Sequence, residues 1–158
     1  MFAALQSSFL GKLAATAIMS MIPVVELRGG IPFGTALGLE PYQAMLAAVV
    51  GNLIPVPFIL IYIRRLFIWM RRFEPLGKIA DYLENKAEGK KEKVTRYKIF
   101  GLCIFVAIPL PGTGAWTGAL IAAFLDMDVK QAFPSIAVGV LIAAFLVTAI
   151  TFGVVTIV

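Results

Sequence analysis

Two charged residues in an otherwise apolar stretch are the side chains of this sequence best suited to chemistry. Glu26 and Arg28 are the only ionisable residues of the segment PVVELRGGIPFG (23–34). An ionised side chain at membrane depth costs about 2.5–3.5 kcal/mol on the insertion scale, so such residues are functional by default. We predict that Glu26 carries a proton and that Arg28, whose planar guanidinium matches phosphate or carboxylate, binds an anion. The alternative is a charge pair that only locks this segment in place.

Glycines beside this pair, and in a second segment, predict further substrate contacts. Gly29 and Gly30 follow the pair, and PLPGTGAWTG (109–118) contains Gly112, Thr113 and Gly114. Backbone N–H groups at the starts of broken membrane helices favour anions, although close helix packing explains the same glycines equally well. Asn52, Trp116 and Thr117 complete the predicted binding residues. Asn52 serves equally well as a helix-contact residue, and Trp116 as a core or interface anchor.

Composition excludes several classes of protein. The chain has 158 residues, 60% of them hydrophobic, and a mean hydropathy of +0.92, which is more apolar surface than a soluble domain can bury. It has no His and a single Cys, so His-dependent hydrolysis, the usual zinc sites and an intrachain disulfide are excluded. No P-loop or hydrolase motif occurs. We expect an integral membrane protein that is not an enzyme and needs no metal or cofactor.

Positive charge is concentrated in the middle of the chain. Residues 64–98 hold eleven basic and five acidic residues, a net charge of +6. By the positive-inside rule we predict that this loop is cytoplasmic, in a multi-pass protein of the plasma (inner) membrane. Apolar residues at helical spacing over 66–84 indicate an amphipathic helix at the interface, interrupted at Pro75–Gly77 and followed by a solvated connection over 85–98. Anionic lipid is the expected partner, and nucleic acid is not.

Two similar halves lie 88 positions apart. LGLEPYQAMLAAVVG (37–51) aligns with LDMDVKQAFPSIAVG (125–139), and an Ile-Pro in a Gly-rich stretch precedes each copy. Two such halves are the sequence signature of transporter folds. We therefore divide a single membrane domain, 1–158, into a first repeat (1–63), a basic amphipathic cytoplasmic linker (64–98) and a second repeat (99–158).

Each repeat is predicted to hold a re-entrant helical hairpin and one transmembrane helix. In the first repeat, helices over 7–22 and 31–39 are separated by breaks at Pro23 and Gly29–Gly30, and a span over 42–63 has a kink at Asn52 to Pro57. In the second, helices over 99–108 and 119–125 precede a span over 131–158. Because each half crosses the membrane once, the halves would have opposite orientations, which is an inverted repeat. If residues 1–39 cross the membrane fully, this topology fails.

The motifs ELRGGIP (26–32) and IPLPGTGAWTGAL (108–120) together resemble the small multidrug export protein family, which is similar to the DedA/SNARE-associated (VTT) superfamily. The resemblance implies two facing re-entrant hairpins and, in the DedA branch, transport or scrambling of lipids such as undecaprenyl phosphate. Glu26 and Arg28 match the acidic and arginine positions near those hairpins. PLPGTGAW has no charged residue where the DedA pattern is basic, which argues against a two-arginine phosphate clamp.

Three functions follow from these observations. The first is a small secondary transporter, proton-coupled through Glu26, that moves an anionic or amphipathic substrate such as a lipid phosphate. The second is an uncoupled lipid scramblase. The third is a membrane scaffold that binds anionic lipid or a partner through residues 66–98. Because one small bundle offers little protein to bury two hairpins, we also expect a homodimer or larger homo-oligomer.

Overall fold

Helices make up all the regular structure of the residues described by the computed structural model, which are 8–70 and 91–157. The first half contains α1 (Phe9–Met21), α2 (Glu26–Ala36), α3 (Pro41–Leu53) and α4 (Pro55–Met70). The second half contains α5 (Lys91–Ala107), α6 (Ala115–Phe124) and α7 (Val129–Ile157). The predicted all-α class is confirmed for this part of the chain.

Two helices are long and apolar enough to cross a bilayer, as judged by length and composition. Pro41–Ile63, which joins α3 to the start of α4, has 23 residues, and Val129–Gly153 within α7 has 25. At 1.5 Å per residue both exceed the hydrocarbon core of about 30 Å. The short helices α2 and α6, with 11 and 10 residues, fall well below that length.

The first of these spans is interrupted where the sequence predicts a kink. Helix α3 ends at Leu53 and α4 begins at Pro55. Pro55 and Pro57 have no amide hydrogen, so two bonds of the i→i−4 ladder are missing at this point. Ile54 keeps helical dihedral angles, φ −55° and ψ −48°, so the backbone between α3 and α4 stays close to helical across the break.

The predicted break at Gly29–Gly30 is wrong, because both glycines lie inside α2. The chain turns earlier, over residues 22–25, and helix resumes at Glu26 instead of Ile31. The glycines serve close packing: a Cβ at Gly30 would lie 1.8 Å from the Ser20 Oγ on α1, and one at Gly29 would lie 2.5 Å from a Val25 methyl carbon. Gly30 therefore lets α1 and α2 approach each other closely, and Gly29 makes room for the side chain that precedes α2.

Other boundaries also differ from the sequence prediction. Helix α5 begins at Lys91 instead of residue 99, so part of the predicted 85–98 connection is helical. Helix α6 begins at Ala115, four residues before the predicted start. Of the predicted amphipathic helix, residues 66–70 continue α4, and residues 71–84 lie outside the described residues.

The two halves pack through their short helices and through the contact of the long helices α3 and α7. Within each half the first helix packs along the long one, α1 on α3 and α5 on α7. Across the halves, α2 packs on α7 and α6 packs on α4. Buried apolar side chains from both halves join in one cluster that includes Leu27, Val56, Ala115 and Val140. Each short helix is therefore held between its own half and the long helix of the other.

The turns that follow α2 and α6 have the same backbone geometry 88 positions apart. Leu39 N–H bonds to Gly34 O at 3.1 Å, and Met127 N–H bonds to Ala122 O at 2.9 Å. This is the bond that closes a Schellman motif, and it needs a left-handed residue. Gly38 (φ 81°) fills that position in the first half and Asp126 (φ 52°) in the second. The helix order and these turns thus repeat at the offset found in the sequence.

Candidate functional site

The candidate site lies where two connecting turns meet, one between α1 and α2 and the other between α5 and α6. The first turn covers residues 22–25 and the second covers 108–114. Val24 has φ 76° and Gly112, 88 positions later, has φ 84°. A left-handed conformation is ordinary for Gly112 but strained for a β-branched residue such as Val24.

Glu26 and Arg28 form an ion pair at this junction. Arg28 Nη1 lies 2.7 Å from Glu26 Oε2, and the side chains are 15% and 4% exposed. Residues two apart on a regular helix point away from each other, so the pair needs a departure from helical backbone. Glu26 provides it with φ 49° at the first position of α2. The charge pair that the sequence analysis gave as the alternative is therefore present as a contact in the fold.

The arginine holds the second turn as well as its own carboxylate. Arg28 Nη2 donates to the backbone carbonyl of Ile108 at 2.8 Å and to the Thr113 hydroxyl oxygen at 3.0 Å. That hydroxyl in turn lies 2.6 Å from the Ile108 carbonyl. A planar guanidinium with several fixed donors is suited to such multiple bonding. The Nε atom of Arg28 is buried and has no protein hydrogen-bond partner among the described residues.

The glutamate caps helix α6 from the other half of the molecule. Trp116 N–H, at the second position of α6, donates to Glu26 Oε1 at 3.0 Å. The N-cap residue of α6 is Gly114, which has no side chain to accept this bond. A carboxylate at a helix N-terminus satisfies a free N–H and interacts favourably with the helix dipole. Both oxygens of Glu26 are therefore engaged, one by Arg28 and one by α6.

Gly114 leaves the room that the carboxylate occupies. A Cβ at this position would lie 1.3 Å from Glu26 Oε2 and 2.1 Å from its carboxyl carbon. Gly114 is also the position that the 88-residue offset pairs with Glu26. The second half thus has no side chain at the position where the first half places its acid.

The aromatic residue of the second turn fastens the two turns a further time. Trp116 Nε1 donates to the Met21 carbonyl at 3.1 Å, at the end of α1. Of the predicted site residues, the fold brings together Glu26, Arg28, Thr113, Gly114 and Trp116. Sequence reasoning missed the carbonyls of Ile108 and Met21, which no side-chain pattern marks.

The other predicted residues have less direct roles. Gly112 shapes the second turn, Gly30 packs α2 against Ser20 of α1, and Gly29 makes room for the Val25 side chain at the start of α2. Thr117 is half-buried on α6. Asn52 is completely buried on α3, and neither its Nδ2 nor its Oδ1 has a protein hydrogen-bond partner among the described residues. In the part of the chain that the structure describes, no three His, Cys, Asp or Glu residues group to hold a metal ion.

Comparison with known proteins gives one family. The model of the family described as "Putative small multi-drug export protein" matches residues 26–146. The match begins at the buried glutamate and runs into α7, so it includes Glu26, Arg28 and the second turn, and it starts directly after the first turn. No curated protein and no solved structure matches the chain.

Proposed function

The chain belongs to the small multidrug export protein family, and we propose that it is a membrane transporter whose substrate and coupling proton bind at Glu26 and Arg28. The observation that carries this proposal is the buried ion pair that bonds across two turns. Transport is the activity in the family's name. A pair that fastens two halves of a membrane protein, and that one proton can break, is suited to control movement between them.

Charge balance favours an anionic substrate. The pair is neutral as a whole, and breaking a buried pair leaves an uncompensated charge that costs about 3–5 kcal/mol. When a proton neutralises Glu26, Arg28 remains cationic and needs a new counter-charge. A phosphate or carboxylate of the substrate supplies it and accepts two parallel N–H bonds. Proton and anion therefore bind together, and an amphipathic lipid phosphate is the substrate class that fits an apolar surrounding.

Helix lengths support a site at mid-membrane. Helices α2 and α6 are about 16 Å and 15 Å long at 1.5 Å per residue, roughly half of the hydrocarbon core. If both hairpins are re-entrant, their turns meet near the bilayer centre, where transporters with inverted repeats bind substrate. Irregular backbone at that depth persists only where it is buried in protein or lines a cavity. Glu26 and Gly114 are buried where the two turns meet, whereas residues 22–24 and 110–112 are exposed and would line a cavity at that depth.

The test is uptake of a short-chain isoprenyl phosphate into proteoliposomes, with and without an imposed pH gradient. We expect gradient-driven uptake by the wild type and its loss in Glu26→Gln. The matched control is Glu40→Gln, the same change at an exposed acid that begins α3, which should keep full uptake. Equal uptake by wild type and Glu26→Gln would exclude coupling through Glu26.

The same assay separates the competing functions. Flux in both directions that ignores the gradient and tolerates Glu26→Gln would indicate a scramblase. Absence of flux in every protein would leave the scaffold function of residues 66–98.

A lipophilic cation such as ethidium is a useful counter-probe, because a cation must displace Arg28 to reach the carboxylate. We expect no ethidium transport, and gradient-driven ethidium efflux would contradict an anionic substrate.

A further inference from the structure

Asn52 stands out among the buried residues because its polar side chain has no protein partner. It lies at the midpoint of the 23-residue span Pro41–Ile63 and is 0% exposed. Both the Nδ2 donor and the Oδ1 acceptor lack a hydrogen-bond partner among the described residues. Buried polar side chains are almost always hydrogen-bonded, to protein or to ordered water.

The helix break beside Asn52 removes two of the backbone N–H donors of a regular helix. In an unbroken helix, the carbonyls of Gly51 and Leu53 would accept from residues 55 and 57. Both of those residues are proline and have no N–H to donate. The amide of Ile54 is already used, since it donates to the Val50 carbonyl at 3.1 Å. The break thus places the buried Asn52 amide beside two carbonyls that have lost their helical donors, although Ile54 at the break is exposed.

This turn lies at the same depth as Glu26. Helices α2 and α3 run antiparallel from a shared connection at 37–40, and a Cβ at Gly34 would lie 3.0 Å from that of Ala44. At 1.5 Å per residue, Glu26 is about 15 Å above the last residue of α2, and Asn52 is about 16 Å above the first residue of α3. Leu27, Val56 and Ala115, from the helices around both sites, belong to the same buried cluster.

We infer that Asn52 and the α3–α4 break form a buried water-binding site that supplies protons to Glu26. Water is the ligand that fits, because it accepts from Nδ2 and donates to Oδ1 or to a freed carbonyl. A metal ion would leave Nδ2 unpaired, and an anion would leave the carbonyls unpaired. In the proton step, a hydronium ion arriving along this water transfers a proton to a Glu26 carboxylate oxygen and remains as water. The proton-supply part rests on the proposed function, but the water site does not.

The second half of the chain indicates which residue should replace Asn52 in the test. The 88-residue offset pairs Asn52 with Val140, which is also 0% exposed, so Asn52→Val places a side chain already used in the second half. The control is Thr148→Val, which removes a hydroxyl from α7 that bonds only locally, to the Ala144 carbonyl at 2.7 Å. Thr148→Val keeps the side-chain shape, whereas Asn52→Val exchanges an amide branched at Cγ for an apolar side chain branched at Cβ. Because Asn52→Val removes two buried polar atoms that have no protein partner, we expect neither variant to lower Tm.

Two readouts test the two parts separately. In wild-type protein in lipid bilayers, solid-state NMR should show water contact at the Asn52 side-chain amide; absence of that contact overturns the water site, whatever the protein transports. For proton supply, the pH-gradient-driven uptake rate of isoprenyl phosphate should fall at least tenfold in Asn52→Val while counterflow without a gradient stays within twofold. Unchanged driven uptake in Asn52→Val would overturn proton supply through this site. If wild type takes up no probe, the proposed function fails and the NMR result alone decides the water site.

Discussion

At the residue scale, the site depends on one carboxylate that serves two halves of the molecule. Glu26 neutralises Arg28 within its own half and caps α6 in the other. The contact with Glu26 also occupies part of the guanidinium of Arg28. In the paired state Arg28 directs its guanidinium to Glu26, Ile108 and Thr113. In the coupling that we propose, an anion binds the Nη1 and Nη2 groups of Arg28 after the bond to Glu26 has broken.

Gly114 gives the sharpest residue-scale prediction. Gly114→Ala places a methyl group where the Glu26 carboxylate lies, so the flexible acid must move and lose its bonds to Arg28 and Trp116. We expect a loss of about 2 kcal/mol in unfolding free energy, the cost of leaving buried polar groups unpaired. Thermal denaturation in detergent measures it as a lowered Tm.

The control for this prediction is a double-mutant cycle with Glu26→Ala. With the carboxylate removed, Gly114→Ala meets no obstacle, so its effect on Tm should nearly vanish. Equal losses of stability in the presence and absence of Glu26 would show that Gly114 is needed for its backbone alone. Gly114 has φ −88°, a value open to every residue, which argues against that outcome.

At the element scale, the two turns of the site share a left-handed residue at equivalent positions, but only the first turn has a β-branched residue there. Gly112 takes its left-handed conformation freely, whereas Val24 and Glu26 both have positive φ within three residues. Such conformations cost about 1–3 kcal/mol each and persist where surrounding contacts fix them. Here the contacts are those of the Glu26 carboxylate and of Trp116 with the Met21 carbonyl. Breaking the ion pair would therefore allow backbone strain to relax in the first turn and not in the second.

Replacement of Val24 by glycine tests this asymmetry. Val24→Gly copies Gly112 and relieves the left-handed strain, so we expect a stabilisation of about 0.5–1 kcal/mol after the entropic cost of glycine. Val24 is 84% exposed, and little packing is lost. Val25→Gly is the control, since Val25 has φ −71° and should lose about 1 kcal/mol instead. Chemical denaturation midpoints of the two variants on opposite sides of wild type would confirm the strain; a loss in both would contradict it.

The elements also show how far sequence reasoning reaches. Proline and apolar run length correctly located the α3–α4 break and the two long helices, because both signals act within one segment. Gly29 and Gly30 led to a wrong prediction of a chain break. Their small size instead allows close contact with Val25 and Ser20. Glu26 and Arg28 were identified by their charge. Their bonds to Ile108 and Trp116 join residues 80 and 90 positions apart, which no local pattern specifies.

At the scale of the whole molecule, exposed apolar surface is the dominant feature. Within the best 18-residue windows, only 44% of the first span and 33% of the second is buried inside the protein. Lipid suits most of the remaining surface, but two short hairpins in a single bundle also expose backbone turns. We predict a homodimer or larger homo-oligomer, which light scattering with the detergent contribution subtracted measures as at least twice the 17.1 kDa chain mass. A mass of one chain across several mild detergents would contradict this.

The orientation of the halves is the prediction on which alternating access depends. If each hairpin returns to the side from which it enters, the connection after α2 lies outside and the connection after α6 lies in the cytoplasm, with the basic loop. Glu40 and Asp128 begin the long helices of the two halves at equivalent positions, 88 residues apart. In a Cys103→Ser background, Glu40→Cys should react with a membrane-impermeant maleimide in intact cells. Asp128→Cys should react only after the membrane is opened. Equal labelling of both variants in intact cells would place the two connections on one side and exclude the inverted arrangement, whereas the opposite pattern would keep it and reverse its direction. Because both positions are exposed and directly precede a long helix, a difference in labelling between them reports the side of the membrane on which each lies.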